Sequence, residues 1–327
     1  MTTRRRIGRR RSRPAGCLLL VIAAIVLVVV VALLLWYLLA GRLRLPGPKP
    51  PGPRPPVSQP ADCPDVFLLS VPGTWESNSN DDPYNPTANP ASLMLNISNP
   101  IRAKFPNDRL EVYTVPYVAQ FSNPVAIPPD GQSSYNNSRS EGTKRATDQL
   151  AKTYAHCPLT TYVLTGFSQG GVIVGDIAAQ IGAGKGPIPE NLVLGVTTIA
   201  DGRRDVGDPG EATEIGPTPP GVGAEVALKG LNVPGITMTG PRGGFGKLAN
   251  RTFTICAAGD LICDAPRQAL NPANILGSLN ILVRAAGNPV HSLYNGYQVD
   301  DNGTTATQWT VNWASGLIEN APHPAHS

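Results

Sequence analysis

The sequence predicts an α/β fold in which a mostly parallel sheet is flanked by helices. Three observations carry this reading. Short apolar runs alternate with longer segments of helical periodicity after residue 60. The first of these runs, VFLLSV at 66–71, is continuously apolar, as a buried strand is. A G-x-S-x-G motif, Gly166-Phe167-Ser168-Gln169-Gly170, stands where one apolar run ends and a helical one begins.

The 327 residues carry 27 Lys+Arg and 23 Asp+Glu, a net of +4. That total hides a split: residues 1–54 hold no acid and sum to +11, so the remainder sums to −7. A body with excess negative charge has no spare cations for phosphates, which excludes a nucleic-acid binder. Seven Arg in an N-terminal tail, 1–16, precede 24 uncharged residues, 17–40. A helix of that length rises roughly 36 Å at about 1.5 Å per residue, enough to span a hydrocarbon core of about 30 Å. The arginine bias predicts a cytoplasmic N-terminus, with the body outside, on the cell-envelope side of the membrane. A cleaved signal peptide competes, but the run is long for one and Leu38-Leu39-Ala40 is a poor cleavage site. Residues 41–60 are a Pro-rich spacer, with eight Pro between 46 and 60 favouring an extended chain. Residues 61–327 form the body.

Within the body, strands are predicted at 66–71, 110–118, 161–164, 192–199 and 252–257, giving a five-stranded sheet. Helices are predicted at 138–154, 169–181, 275–286 and 305–320, the last with Trp309, Trp313, Leu317 and Ile318 on one stripe. Residues 201–247 are rich in Gly and Pro and read as a long loop excursion. Cys63, Cys157, Cys256 and Cys263 are an even set in an exported body, which predicts two disulfides. Three pairings exist; Cys256 and Cys263 bracket a short loop, and pairing them leaves Cys63 with Cys157. Without a C-x-x-C pair and with four His in the chain, a zinc site is not expected.

The chemistry centres on Ser168. A strand leading in and a helix leading out make the strand–elbow–helix of an α/β-hydrolase nucleophile, with glycines where a Cβ would clash. The helix N-terminus beneath Ser168 places partial positive charge where an oxyanion would form. A serine nucleophile needs a base. His156 precedes the elbow, the wrong order for this fold, and His323 and His326 lie in the last five residues, where a frayed tail is expected. His291 remains. The acid that orients it is expected between Ser168 and His291. Asp260, inside the loop bracketed by Cys256 and Cys263, leads; Asp264 and then Asp201 follow, and Asp176 lies on the helix after the elbow.

Four segments in order make the body resemble the cutinase family of serine esterases. They are Cys63-Pro64-Asp65-Val66, Gly73-Thr74-Trp75-Glu76, Cys157-Pro158 leading to Gly166–Gly171, and the Cys256–Cys263 octapeptide followed by His291. The resemblance implies a triad of Ser168, Asp260 and His291, disulfides Cys63–Cys157 and Cys256–Cys263, and an oxyanion hole from Thr74 and the backbone N–H of Gln169. It implies no metal and no cofactor. Thr74 stands where the family usually has Ser. The whole layout resembles the membrane-anchored cutinase-like proteins of mycolate-producing actinobacteria. That implies lipase, phospholipase A and thioesterase activity on lipid or acyl-ester substrates in the cell envelope. An acyltransferase using the same triad, a serine peptidase, which the disulfide pattern disfavours, and a scaffold with a degenerate site are the alternative readings. The 31-residue step from Asp260 to His291 and the insert at 203–250 exceed a compact member's. One or both are expected either to flank the site and contact acyl chains or to pack on the core, with Leu276 and Leu282 as the positions to test.

Overall fold

The computed structural model describes residues 15–39 and 56–327, apart from positions 125, 208, 271, 272 and 274. The Arg-rich tail and most of the Pro-rich spacer lie outside the described residues. The chain divides into two units, Met1–Pro55 and Pro56–Ser327.

In the first unit, helix α1 runs over Ala15–Leu39 without a charged residue, and its described side chains, 21–37, are all exposed. Among the described residues, no helix is long and apolar enough to cross a membrane.

The second unit is the predicted α/β layer structure. In chain order its main elements are β1 Val66–Val71, α2 Leu95–Lys104, β2 Leu110–Thr114, α3 Tyr135–His156, β3 Thr161–Phe167, α4 Gln169–Gly182 and β4 Val193–Ile199. After these come β5 Thr213–Glu214, α5 Ala224–Ala227, the hairpin β6 Asn232–Val233 with β7 Ile236–Thr237, then β8 Thr252–Ile255, α6 Ile275–Ala286 and α7 Ala306–Glu319. The strand order is β2-β1-β3-β4-β8-β5 and every pairing is parallel. The sheet therefore has six strands, not five. The sixth, β5, is two residues inside the Gly/Pro-rich excursion, too short to show an apolar run. Predicted 110–118 also stops early, at Thr114, because Pro116 has no N–H to give a ladder.

Every residue of β1 and β3 is buried. Alternation along β1 divides the core: Val66 and Leu68 join one cluster with Ile97 and Ile318, while Phe67 and Leu69 join another with Leu150 and Ile177. Thus α2 and α7 cover one face and α3 and α4 the other. The chain leaves β1 to one side through α2 and returns to β3 through α3 on the opposite face. That switch opens a crevice at the carboxyl ends of β1 and β3, where α/β sheets bind ligands.

Two further features depart from expectation. His323 and His326 are not frayed: His323 Nδ1 lies 2.8 Å from Asp65 Oδ2, and His326 Nε2 lies 3.0 Å from Asp65 Oδ1. Arg109 donates to the same Asp65, to the carbonyl of Ile318 in the last turn of α7, and to those of Ala321 and Pro322 just beyond it. Gln59 exchanges backbone hydrogen bonds with Ala325 and Ser327, so the tail is clasped to the first residues of the domain. The second feature is how the excursion is held. Arg203 and Arg242 on it pair with Asp176 of α4, Arg242 binds Asp201 through two nitrogens, and Glu225 of α5 takes Arg139 of α3 at 2.8 Å. Buried charges are kept only when paired, and this lattice of pairs fixes the excursion where its sequence offers little apolar material.

Candidate active site

The elbow begins where β3 ends. Ser168 has φ +55, a left-handed conformation that lifts its side chain clear of both strand and helix, and its N–H donates to Ile199 O at 2.8 Å. The flanking glycines are required sterically. A Cβ on Gly166 would come 2.3 Å from Gly170 O, and one on Gly170 would come 2.1 Å from Val71 O and 2.5 Å from Pro72 O. Backbone atoms cannot step aside as a side chain can. We expect Gly170→Ala to cost about 3 kcal/mol or more in urea denaturation. Gly316→Ala in α7, where a Cβ meets nothing within 4 Å, is expected to stabilise by about 0.5–1 kcal/mol. Equal midpoints for the two variants would contradict the clash.

His291 sits in a 3₁₀ turn, Pro289–Ser292, capped by Asn288, whose Oδ1 accepts from Val290 N. The Asn288 side chain also donates to Gly259 O at 2.6 Å, tying the histidine turn to the Asp260 loop. The imidazole stacks on Phe167 with centroids 4.9 Å apart. Its Nε2 lies 2.8 Å from Ser168 Oγ and its Nδ1 lies 2.8 Å from Asp260 Oδ2. A carboxylate only accepts, so the proton is on Nδ1 and Nε2 faces the serine bare. Asp260 is fully buried, and its other oxygen accepts from Ile262 N at 3.0 Å. Tyr294 O–H donates to Asp260 Oδ2 at 2.7 Å.

The structure thus brings Ser168, His291 and Asp260 into one hydrogen-bonded chain, and both disulfides, Cys63–Cys157 and Cys256–Cys263, are formed. The competing acids are committed elsewhere. Asp264 accepts from Gly221 N and Gly259 N and braces the loop. Asp201 is held by Arg242 and Asp176 by three arginines. His156 pairs with Asp62 on the surface. The cluster of Cys63, His156 and Cys157 has no sulfur free for a metal, since its two cysteines are bonded to each other.

Thr74 and Gln169 line the same cavity as Ser168. Gln169 opens α4, and its side chain is pinned by Ser138 Oγ at 2.7 Å, leaving its backbone at the helix N-terminus. The loop carrying Thr74 is braced by partly buried Glu76, whose carboxylate accepts from Gly73 N at 2.9 Å and Leu93 N at 2.5 Å. Burial pushes that carboxyl above the ordinary range, with these N–H groups pulling the other way. The cavity holds about 470 Å³, within the range of small-molecule sites. Its lining includes apolar Phe121, Val172, Ala224, Met238 and Ile262 together with the polar Asn89, Asn288 and Asn295. Ala224 and Met238 come from the 203–250 insert, which therefore flanks the site. In α6, Leu276 is 72% exposed and Leu279 packs with Leu228 and Leu231; the Leu282 side chain lies outside the described residues.

Sequence reasoning missed Tyr294 and Asn288. Asn-Pro three residues before His291 is a recognisable cap signal, whereas no local pattern marks Tyr294 as a partner of Asp260.

An α/β-hydrolase sheet with a serine on its elbow is the frame of a serine acyl-transfer enzyme, and the comparisons with known proteins narrow it to a carboxylic ester hydrolase. The chain belongs to the cutinase family, whose model, Cutinase, matches residues 86–274. It is 47% identical over 269 residues to a protein described as the carboxylesterase Culp6 homolog of Corynebacterium glutamicum, covering 80% of this chain and 84% of that one. Two solved structures are more distant. The catalytic core domain of acetyl xylan esterase from Trichoderma reesei is 18% identical, with a TM-score of 0.45 over 80% of this chain and 100% of that one. A cutinase-like protein from Cryptococcus sp. is 17% identical, with a TM-score of 0.44 over 83% and 100%. The family assignment rests on the first two comparisons.

Proposed function

We propose that the chain is a serine esterase acting on acyl esters of envelope lipids, phospholipids and thioesters included, with its catalytic domain tethered outside the membrane by residues 17–40. The observation that carries the mechanism is the pair of 2.8 Å contacts linking Ser168 Oγ, His291 and Asp260 at the cavity. His291 Nε2 takes the proton as Ser168 Oγ attacks the ester carbonyl, and Asp260 holds the imidazole and balances the charge it gains. The N–H groups of Thr74 and Gln169 receive the oxyanion. His291 then protonates the leaving alcohol or thiol, and water repeats the sequence to free the acid. No metal or cofactor enters a step.

The apolar residues of the lining support an acyl chain as the group bound there, and its asparagines support a polar leaving group. The tether is supported by the arginine bias and the uncharged run. The test is chain-length selectivity of the full chain in detergent. Met238→Trp, which takes up space in the cavity, is expected to lower the decanoate-to-acetate ratio for p-nitrophenyl esters by about tenfold, the order of a lost apolar contact of ~1.4 kcal/mol. An unchanged ratio would place the acyl chain elsewhere. Phospholipids and acyl-CoAs in the same assay identify the leaving group.

A further inference from the structure

Among the described residues, Tyr294 is the one buried titratable side chain bonded to the candidate triad to which the mechanism gives no task. It is fully buried, three residues after His291. Its hydroxyl makes two short bonds of fixed direction and lies 3.4 Å from Cys263 Sγ, a disulfide sulfur that is a far weaker acceptor than a carboxylate. Ala257 N, at the end of β8, donates to the phenolic oxygen at 3.0 Å, and the phenol oxygen lies 2.7 Å from Asp260 Oδ2. An amide N–H only donates and a carboxylate only accepts, so the phenolic proton points at Asp260. The oxygen it reaches is the one that faces His291 Nδ1 at 2.8 Å. Burial, followed by the Asp260 charge, holds the Tyr294 hydroxyl well above its ordinary range, so it stays a neutral donor at any pH where the enzyme works.

We propose that Tyr294 is a positioning residue for ester hydrolysis, fixing Asp260 Oδ2 under the imidazole and setting the basicity of His291 by sharing that oxygen's charge. Two donors on one carboxylate oxygen divide its electron density. Each bond is weaker than it would be alone, and the imidazolium formed during attack meets a partly neutralised partner. The ring also confines the site, with its centroid 5.8 Å from Phe167 and 6.5 Å from His291, both edge-on. The other ionisable groups around this chain are Glu76 across the cavity, whose charge acts on His291, Tyr297 with its centroid 5.9 Å from Tyr294, and Asp264 on Gly259 N. None of them shares Oδ2.

The inference rests on the Ser168–His291–Asp260 reading, and the experiment separates the two. The full chain is assayed as wild type, Ser168→Ala, Tyr294→Phe and Tyr297→Phe, with kcat and KM for p-nitrophenyl butyrate measured across pH. In Tyr294→Phe, Asp260 becomes a stronger partner for the imidazolium. The acidic limb of kcat/KM is expected to move up by roughly half a pH unit, and, because Asp260 Oδ2 is no longer fixed under the imidazole, the lost alignment is expected to lower kcat about tenfold with KM little changed. Tyr297 donates to Cys256 O at 3.3 Å and not to Asp260, so Tyr297→Phe should leave the limb in place. Single-site 3,5-difluorotyrosine at 294 keeps the ring and strengthens the donor, and should move the limb the other way. That substitution serves if the unpaired Ala257 N–H prevents Tyr294→Phe from folding. An activity that survives in Ser168→Ala would remove the site reading itself. A Ser168-dependent activity whose limb stays put with either change at 294 would overturn the role of Tyr294 alone.

Discussion

Ser168→Ala is expected to lower kcat on simple esters by about 10⁵-fold or more, with the thermal midpoint nearly unchanged. The substitution removes one oxygen, the atom 2.8 Å from His291 Nε2, and leaves the elbow backbone and its bond to Ile199 intact. What turnover persists comes from the oxyanion donors and substrate binding alone. A fluorophosphonate probe should label the wild type and not the variant. Labelling of the folded variant, or turnover within about tenfold of wild type, would move the nucleophile to another residue.

Asp260→Asn is expected to cost about 10³–10⁴-fold in kcat, and Asp264→Asn less than about tenfold. The asymmetry follows from who holds whom. Asp260 is buried and accepts from His291, Tyr294 and Ile262. An amide there offers a donor where Nδ1–H needs an acceptor, or else loses Tyr294, and the proton is driven onto the nitrogen that should face Ser168 bare. Asp264 braces the loop through two backbone N–H groups, so its loss loosens the approach without reversing any proton. Steady-state kinetics on both variants decides the matter, and a larger loss at Asp264 would exchange their roles.

The parts of the site legible in the sequence are those carried by local pattern or by scarcity. The elbow is read from five residues and their flanks because steric closeness at Gly166 and Gly170 tolerates no side chain. His291 is read because the other three histidines stand in the wrong places. Strands β1 and β3 are read because strands buried on both faces carry apolar runs, and edge strand β2 is read from its apolar/polar alternation. What was not legible depends on contacts across the chain. Strand β5 has two residues and exists because β8 offers it a free edge. Tyr294 looks like any core aromatic until Asp260 is folded against it. The apolar lining of the cavity joins Phe121 with Ala224 and Met238, contributed by segments a hundred residues apart and set in place by buried ion pairs that carry no sequence period. His323 and His326 were misjudged for the same reason: a terminal Pro-His-Pro segment reads as loose until Asp65 and Arg109 are seen to hold it.

That clasp has a mechanical consequence. The polypeptide enters the domain at Ser58 and Gln59, which are bonded to Ser327 and Ala325, and then meets Cys63, joined covalently to Cys157 at the end of α3. A pull applied at the domain's first residues would be opposed by these hydrogen bonds to the tail, parted one after another like a short zip, and then by the sulfur bridge, which ties the chain ahead of β1 to the junction of α3 and β3. The N-terminal edge of the domain is in this sense doubly fastened, by a reversible catch and a covalent one.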